Sequence, residues 1–89
     1  MKSPTIVQAL EHPLAEFSST TLSAREVVLA GLGWPMQYWC ELAVGWLEQG
    51  FPLDREIVER LAAIAENRSF SQRLRHRARA LQRRAVNMD

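Results

Sequence analysis

The chain has 89 residues, of which 47% are hydrophobic and 24% charged, and its net charge is +1 at pH 7. These values are typical of one folded domain with a modest core, and they exclude a disordered chain. A single cysteine excludes an internal disulfide framework, and no apolar run is long enough to span a membrane. We therefore expect one cytoplasmic domain over residues 1–89.

The charges are divided unevenly along the chain. Residues 1–67 hold four basic and nine acidic side chains, whereas residues 68–89 hold seven arginines and one acid. The sequence thus has an acidic body followed by a basic end. Such a division favours either charge pairing within the protein or binding of an anionic partner.

Ser3 and Pro4 fit the cap and the first position of a short, weak N-terminal helix. Pro13 should end or kink that helix near Glu11, because proline cannot continue a helix without losing a hydrogen bond. The polar run over residues 18–21 predicts a loop.

The next helix has the strongest local start signal in the sequence. Ser23 and Glu26 fit a capping box, in which each side chain bonds the other residue's backbone N–H. Leu22 and Val27 stand at the two positions of a hydrophobic staple. Gly31 weakens the helix soon afterwards, so we predict a short element.

Residues 34–50 hold all three tryptophans, the only tyrosine and the only cysteine. We predict a helix here, with Pro35 at its first position and Gly50 just past its end. At about 100° per residue, apolar side chains cover more than half of its girth. These are Met36, Trp39, Cys40, Leu42, Ala43, Val44, Trp46 and Leu47. Several neighbours must cover such a helix, so we place it at the centre of a small bundle.

Two further amphipathic helices complete the prediction. Asp54 caps the first, which should fade around Asn67. Its apolar stripe is Ile57, Val58, Leu61, Ile64 and Ala65. Ser69 and Gln72 fit a second capping box before the last helix, which should fray after Ala85. Its stripe is Phe70, Leu74, Ala78, Leu81 and Ala85. The predicted fold is all-α, a small bundle of four to five short helices.

The last two helices resemble a HEAT-type helical hairpin repeat. The resemblance lies in the apolar run LAAIA at 61–65, the short polar turn at 67–71, and the run LRHRARAL at 74–81. It covers about 30 residues, whereas a solenoid normally stacks three or more repeats. The resemblance implies a scaffold that binds partners rather than an enzyme.

The first candidate site is the set of arginines on the last helix. Arg73, Arg77 and Arg84 flank one side of its apolar stripe, and Arg75, Arg79 and Arg83 flank the other. No acid interrupts residues 72–87, so these charges have no opposite charge within their own helix. They either pair with the acidic body across the bundle or bind an anionic partner.

A second candidate site is aromatic. Tyr38 lies on the polar side of the tryptophan-rich helix and Trp34 precedes that helix, whereas Trp39 and Trp46 fit the core. Because tryptophan and tyrosine dominate binding hot spots, a patch built on Trp34 and Tyr38 could hold a partner.

No catalytic chemistry is recognisable in the sequence. His12 and His76 are far apart and neither has metal-ligand spacing around it. Cys40 has apolar neighbours on its helix face, which predicts a buried thiol with a raised pKa. We therefore predict no enzyme activity, no metal and no cofactor.

The function predicted from these features is a small helical module that binds another protein. It would be an adaptor, a regulator or an inhibitor of the bacterial immunity type. The alternative is a nucleic-acid-associated protein that uses the arginine-rich helix. No membrane partner is expected, and the oligomeric state stays open.

Overall fold

The computed structural model describes residues 6–17 and 23–87. Four α-helices lie in these ranges: α1 (Ala24–Leu32), α2 (Gln37–Glu48), α3 (Arg55–Glu66) and α4 (Gln72–Asn87). Two short 3-10 helices, Ile6–Glu11 and Leu14–Glu16, precede them, and neither range contains a strand. The prediction of an all-α fold is confirmed. None of the helices described is long and apolar enough to cross a membrane.

The helices form two pairs that stack on each other. α1 packs against α2, and α3 packs against α4. The pairs are joined because α1 also contacts α3 and α2 also contacts α4. The first 3-10 helix belongs to residues 6–17, the N-terminal segment, and it contacts α1 and α2. Because α1 and α2 both contact several elements, the position of α2 as the single centre of the bundle stays a prediction.

The core is built largely from the predicted apolar stripes. Buried residues are Cys40, Ala43, Val44, Trp46 and Leu47 of α2, Ile57, Leu61, Ile64 and Ala65 of α3, and Leu74, Ala78 and Leu81 of α4. Met36 is a correction, because it precedes α2 in an extended conformation and its side chain is 57% exposed. Trp39 is only half-buried, with the ring of Tyr38 packed edge-on against it at 4.8 Å.

The predicted caps of α1 and α3 are confirmed. The Ser23 hydroxyl accepts the N–H of Glu26, whose carboxylate accepts the N–H of Ser23. The Asp54 carboxylate accepts the N–H of Ile57 in the same way. Gly50 follows α2 at φ 114°, a left-handed conformation that favours glycine over any other residue. The expected cap at residues 3–4, the staple residue at 22 and the loop at 18–21 lie outside the described residues.

Three predicted helix boundaries are wrong. α2 begins at Gln37 rather than Pro35, because Met36 is still extended at φ −91° and ψ 130°. Ser69 was predicted to cap α4, but it lies in the turn before that helix, where the Asn67 side chain accepts its N–H. The Ser71 hydroxyl instead accepts the N–H of Leu74 and caps that helix. α4 then continues to residue 87, past its predicted end, since neither glycine nor proline interrupts it.

Candidate partner-binding face

Arg77 and Arg84, on one side of α4, are bonded to α2. Arg77 reaches both carboxylate oxygens of Glu48, at 3.0 Å from Nε and 2.8 Å from Nη2. This paired geometry raises the pKa of the Arg77 guanidinium. Arg84 lies next to it and donates to the carbonyl of Leu47 at 3.4 Å. These two arginines therefore hold α4 against the end of α2.

The other side of α4 faces α3, and no salt bridge between described residues joins these two helices. Arg79 donates from Nη2 to the carbonyl of Ala65 at 3.0 Å, close to the C-terminal end of α3. Arg75 is half-buried, and its Nε atom is buried without a hydrogen-bond partner among the described residues. Arg83 is exposed. Positive charge near a helix C-terminus is favourable, so Arg79 also stabilises α3.

Most of the α4 arginines are not paired with the acidic body. Arg77 is the one arginine of α4 that forms a salt bridge with a described residue. Carboxylates of the body are instead used by arginines outside α4, since Arg25 bonds Asp54 at 2.6 Å and Glu56 at 2.8 Å. The bond from Arg25 is the main reason that the pKa of Asp54 is lowered. Pairing across the bundle, one of the two sequence interpretations, thus holds for Arg77 alone within the described residues.

A groove of about 500 Å³ lies between α3 and α4 beside these arginines. It is lined by Ala62, Ala65, Glu66, Arg79, Gln82, Arg83 and Val86. Val86 is 71% exposed and stands on the outer part of α4. Arg79 and Arg83 were predicted from the sequence, but the apolar floor was not. Two signals could have revealed it. Ala62 lies at helical spacing from Val58 and Ala65 of α3, and Val86 is an apolar residue of α4 outside the predicted stripe.

Both aromatic candidates are partly exposed. Trp34 is half-buried against the core, and its carbonyl lies 3.2 Å from the Cys40 sulfur. Tyr38 is 51% exposed, but its hydroxyl donates to a carboxylate oxygen of Glu11 at 2.8 Å. That hydrogen bond is the main cause of the raised pKa of Tyr38. About half of the Tyr38 side chain and part of Trp34 therefore remain exposed.

The residues considered for chemistry are separated in the fold. Burial raises the pKa of the Cys40 thiol to about 11, so this side chain is a poor nucleophile at neutral pH. His12 and His76 are both exposed, and the carbonyl of His12 accepts the indole N–H of Trp46 at 2.8 Å. In residues 6–17 and 23–87, no three His, Cys, Asp or Glu side chains come together as metal ligands.

Comparisons with known proteins return no relative. No protein-family model matches the chain, and neither a curated protein nor a solved structure matches it. The resemblance of α3 and α4 to a HEAT-type hairpin accordingly stays a prediction. Evidence about function comes from the residues of the α3–α4 face.

Proposed function

We propose that this chain is a small, non-enzymatic helical module that binds another protein through the exposed arginines of α4. The observation that carries the proposal is the lack of salt bridges from Arg73, Arg75, Arg79, Arg83 and Arg84 to any described carboxylate. Four of these guanidinium groups, those of Arg73, Arg79, Arg83 and Arg84, are exposed and give α4 a positive surface that an acidic partner can neutralise.

Contacts within the fold do not account for all of these arginines. Arg75, Arg79 and Arg83 follow one another at intervals of four, and like charges at that spacing destabilise a helix by about 0.2–0.5 kcal/mol per pair. An acidic partner would convert this repulsion into attraction. Arg77 and Arg84 account for the attachment of α4 to α2, so the other α4 arginines are not needed for it.

A protein partner is favoured over a nucleic acid by the surroundings of the arginines. The groove beside Arg79 and Arg83 is lined in part by Ala62, Ala65 and Val86, and such an apolar floor suits the buried centre of a protein–protein interface better than a phosphate backbone. The net charge of +1 is also low for a nucleic-acid-binding domain. The partner we propose is thus an acidic protein surface, and the module is an adaptor, a regulator or an inhibitor of the bacterial immunity type, in the cytoplasm.

Pull-down mass spectrometry at two salt concentrations, with and without nuclease, tests the proposal. The full chain is compared with Arg73→Glu/Arg83→Glu, which reverses two exposed charges on α4. We expect a protein partner that survives nuclease treatment and is lost from this variant. Arg68→Glu, an exposed arginine in the turn before α4, is the control and should retain the partner.

The nucleic-acid alternative has a separate test. If four of the five unpaired arginines contacted phosphates, log K would fall against log salt with a slope of about −3.6 on duplex DNA, from roughly −0.9 per phosphate. We expect only weak binding in fluorescence anisotropy, absent near 150 mM salt, where the Debye length is about 8 Å. Submicromolar binding at that salt concentration, abolished by Arg73→Glu/Arg83→Glu, would make nucleic acid the partner.

A further inference from the structure

The groove between α1 and α2 is covered by the N-terminal segment. The N-terminal segment contacts both helices, and its Leu10 is only 3% exposed. A Cβ atom placed on Gly31 of α1 would lie 2.5 Å from Leu10 Cδ1 and 2.9 Å from Ala43 Cβ of α2. Leu10 therefore sits where the two helices approach closely through small residues. This chain covers that groove with an apolar side chain from a short helical segment.

The groove between α3 and α4 has a similar floor but no such cover. Ala62 and Ala65 supply small residues from α3, and Val86 adds an aliphatic wall from α4. Val86 remains 71% exposed, so no other described residue encloses it. A second, smaller depression, lined in part by Val58 and Ala85, shares Val86 and extends the apolar surface along the two helices.

The α3–α4 groove opens away from α2. Arg77 contacts Glu48 of α2, whereas Arg79, two residues later, lines the groove and bonds the carbonyl of Ala65. Two residues correspond to about 200° around a helix, so the two side chains leave α4 in nearly opposite directions. The groove therefore faces outward from the stack, where a partner can reach it.

We infer that this groove binds one amphipathic helix of the partner protein, with aliphatic residues toward Ala62 and Val86 and acidic residues along the edge that faces Arg79 and Arg83. The inference rests on the proposed function and names the partner's chemistry. Charge complementarity selects this occupant for two reasons. Arg83 is exposed and forms no salt bridge with any described residue. Arg79 uses one edge of its guanidinium for the bond to Ala65, which leaves the other edge for an acidic side chain of the partner.

The shape of the groove fits a helix of moderate length. The α3 residues along the groove and the adjoining depression run from 55 to 66, a distance of about 17 Å or three helical turns at 1.5 Å per residue. Alanines in the floor permit the close approach of about 8–10 Å between helix axes. Glu66 on the α3 rim disfavours acids on the opposite edge of the incoming helix, so one orientation is preferred.

A displayed peptide library tests the inference on the full chain. The probe is a yeast-displayed library of 20-residue helix-forming peptides with aliphatic residues fixed at helical spacing and all other positions random. We expect enriched peptides to carry Asp or Glu along one edge. Ala62→Glu should weaken them by about tenfold or more, and Ala63→Glu by less than about twofold. Ala63 is the matched control, since it neighbours Ala62 on α3 but is exposed outside the groove.

A second matched pair tests the charges. Arg83→Glu should weaken the same peptides by about tenfold, whereas Arg73→Glu, also exposed but outside the groove, should change affinity by less than about twofold. A peptide whose acidic edge is replaced by lysine should recover binding to Arg83→Glu. Val86→Glu repeats the test of the floor at a site that is already 71% exposed, in case Ala62→Glu lowers the denaturation midpoint.

Several results would overturn the inference. It fails if no peptide is enriched, if enriched peptides lack an acidic edge, or if Ala62→Glu and Arg83→Glu leave binding unchanged. A concentration-dependent dimer in sedimentation equilibrium that Ala62→Glu abolishes would identify a second copy of this chain as the occupant instead. In each case the pull-down with the unaltered full chain still decides the proposed function, because it detects any protein partner, whichever surface of the chain that partner contacts.

Discussion

Alanine substitutions at two helical glycines, Gly31 in α1 and Gly45 in α2, should change stability in opposite directions. A Cβ at Gly45 would meet one atom within 4 Å, the Nη2 of Arg77 at 3.8 Å, which is an ordinary contact. A Cβ at Gly31 would meet Leu10 Cδ1 at 2.5 Å and Ala43 Cβ at 2.9 Å. Leu10 can rotate away, but the Cβ of Ala43 moves only if α2 moves.

The magnitudes follow from two opposing terms. Replacing glycine by alanine inside a helix gains about 0.8–1 kcal/mol, and Gly45→Ala should gain most of it. Gly31 is the penultimate residue of α1, so its gain is smaller. Forcing an extra methyl group into a packed interface costs about 1–3 kcal/mol. Gly31→Ala should therefore destabilise the fold by about 1 kcal/mol, while Gly45→Ala stabilises it by a similar amount.

Urea denaturation of the wild type and the two variants measures both effects. A change of 1 kcal/mol corresponds to about 4–8 °C in Tm for a domain of this size, so thermal unfolding resolves the same difference. In a double-mutant cycle, Gly31→Ala and Ala43→Gly should show a coupling of about 0.5–3 kcal/mol, because the second change removes the clash. Equal stabilisation by Gly31→Ala and Gly45→Ala would refute the close packing of α1 on α2 and the covered groove inferred from it.

Three other changes test separate parts of the fold. Trp46→Ala should cost about 3–5 kcal/mol in chemical denaturation, because the side chain is 1% exposed. Ser71→Ala should cost about 0.5–2 kcal/mol through the lost cap of α4, and Ser69→Ala clearly less, since the Ser69 hydroxyl forms no cap. The bond from Arg25 lowers the pKa of Asp54, so its contribution to stability is present above the unfolded pKa of about 3.9 and disappears as pH falls through the lower folded value. Urea midpoints across this acidic range should fall less steeply for Asp54→Asn, which retains a capping oxygen; an unchanged slope would show that Asp54 is not paired.

Local sequence signals were sufficient for most of the fold. The capping box at Ser23, the cap at Asp54 and the C-terminal Gly50 are short-range patterns, and each operates as predicted. The start of α4 could not be chosen locally, because Ser69 and Ser71 both precede it. Contacts that are distant in sequence also contribute there, since the side chain of residue 37 in α2 accepts the Ser71 N–H.

The candidate site was predictable in part. Helical periodicity separated the arginines into the two groups that the structure places on opposite sides of α4. Periodicity could not show that Arg77 pairs with Glu48, because that bond depends on how α2 packs on α4. The groove was missed for a similar reason, since Ala62 and Val86 are far apart in sequence and meet only when α3 packs against α4.

The most direct test of the α3–α4 face is an NMR titration of the ¹⁵N-labelled full chain with the tightest peptide from the display selection. We predict that the largest amide shift changes cluster at Ala62, Ala65, Arg83 and Val86, with little change around Tyr38. Ala62→Glu should remove these changes while the rest of the spectrum stays folded. Changes centred on Trp34 and Tyr38, with the α3–α4 amides unmoved, would contradict the account and place the partner on the aromatic surface.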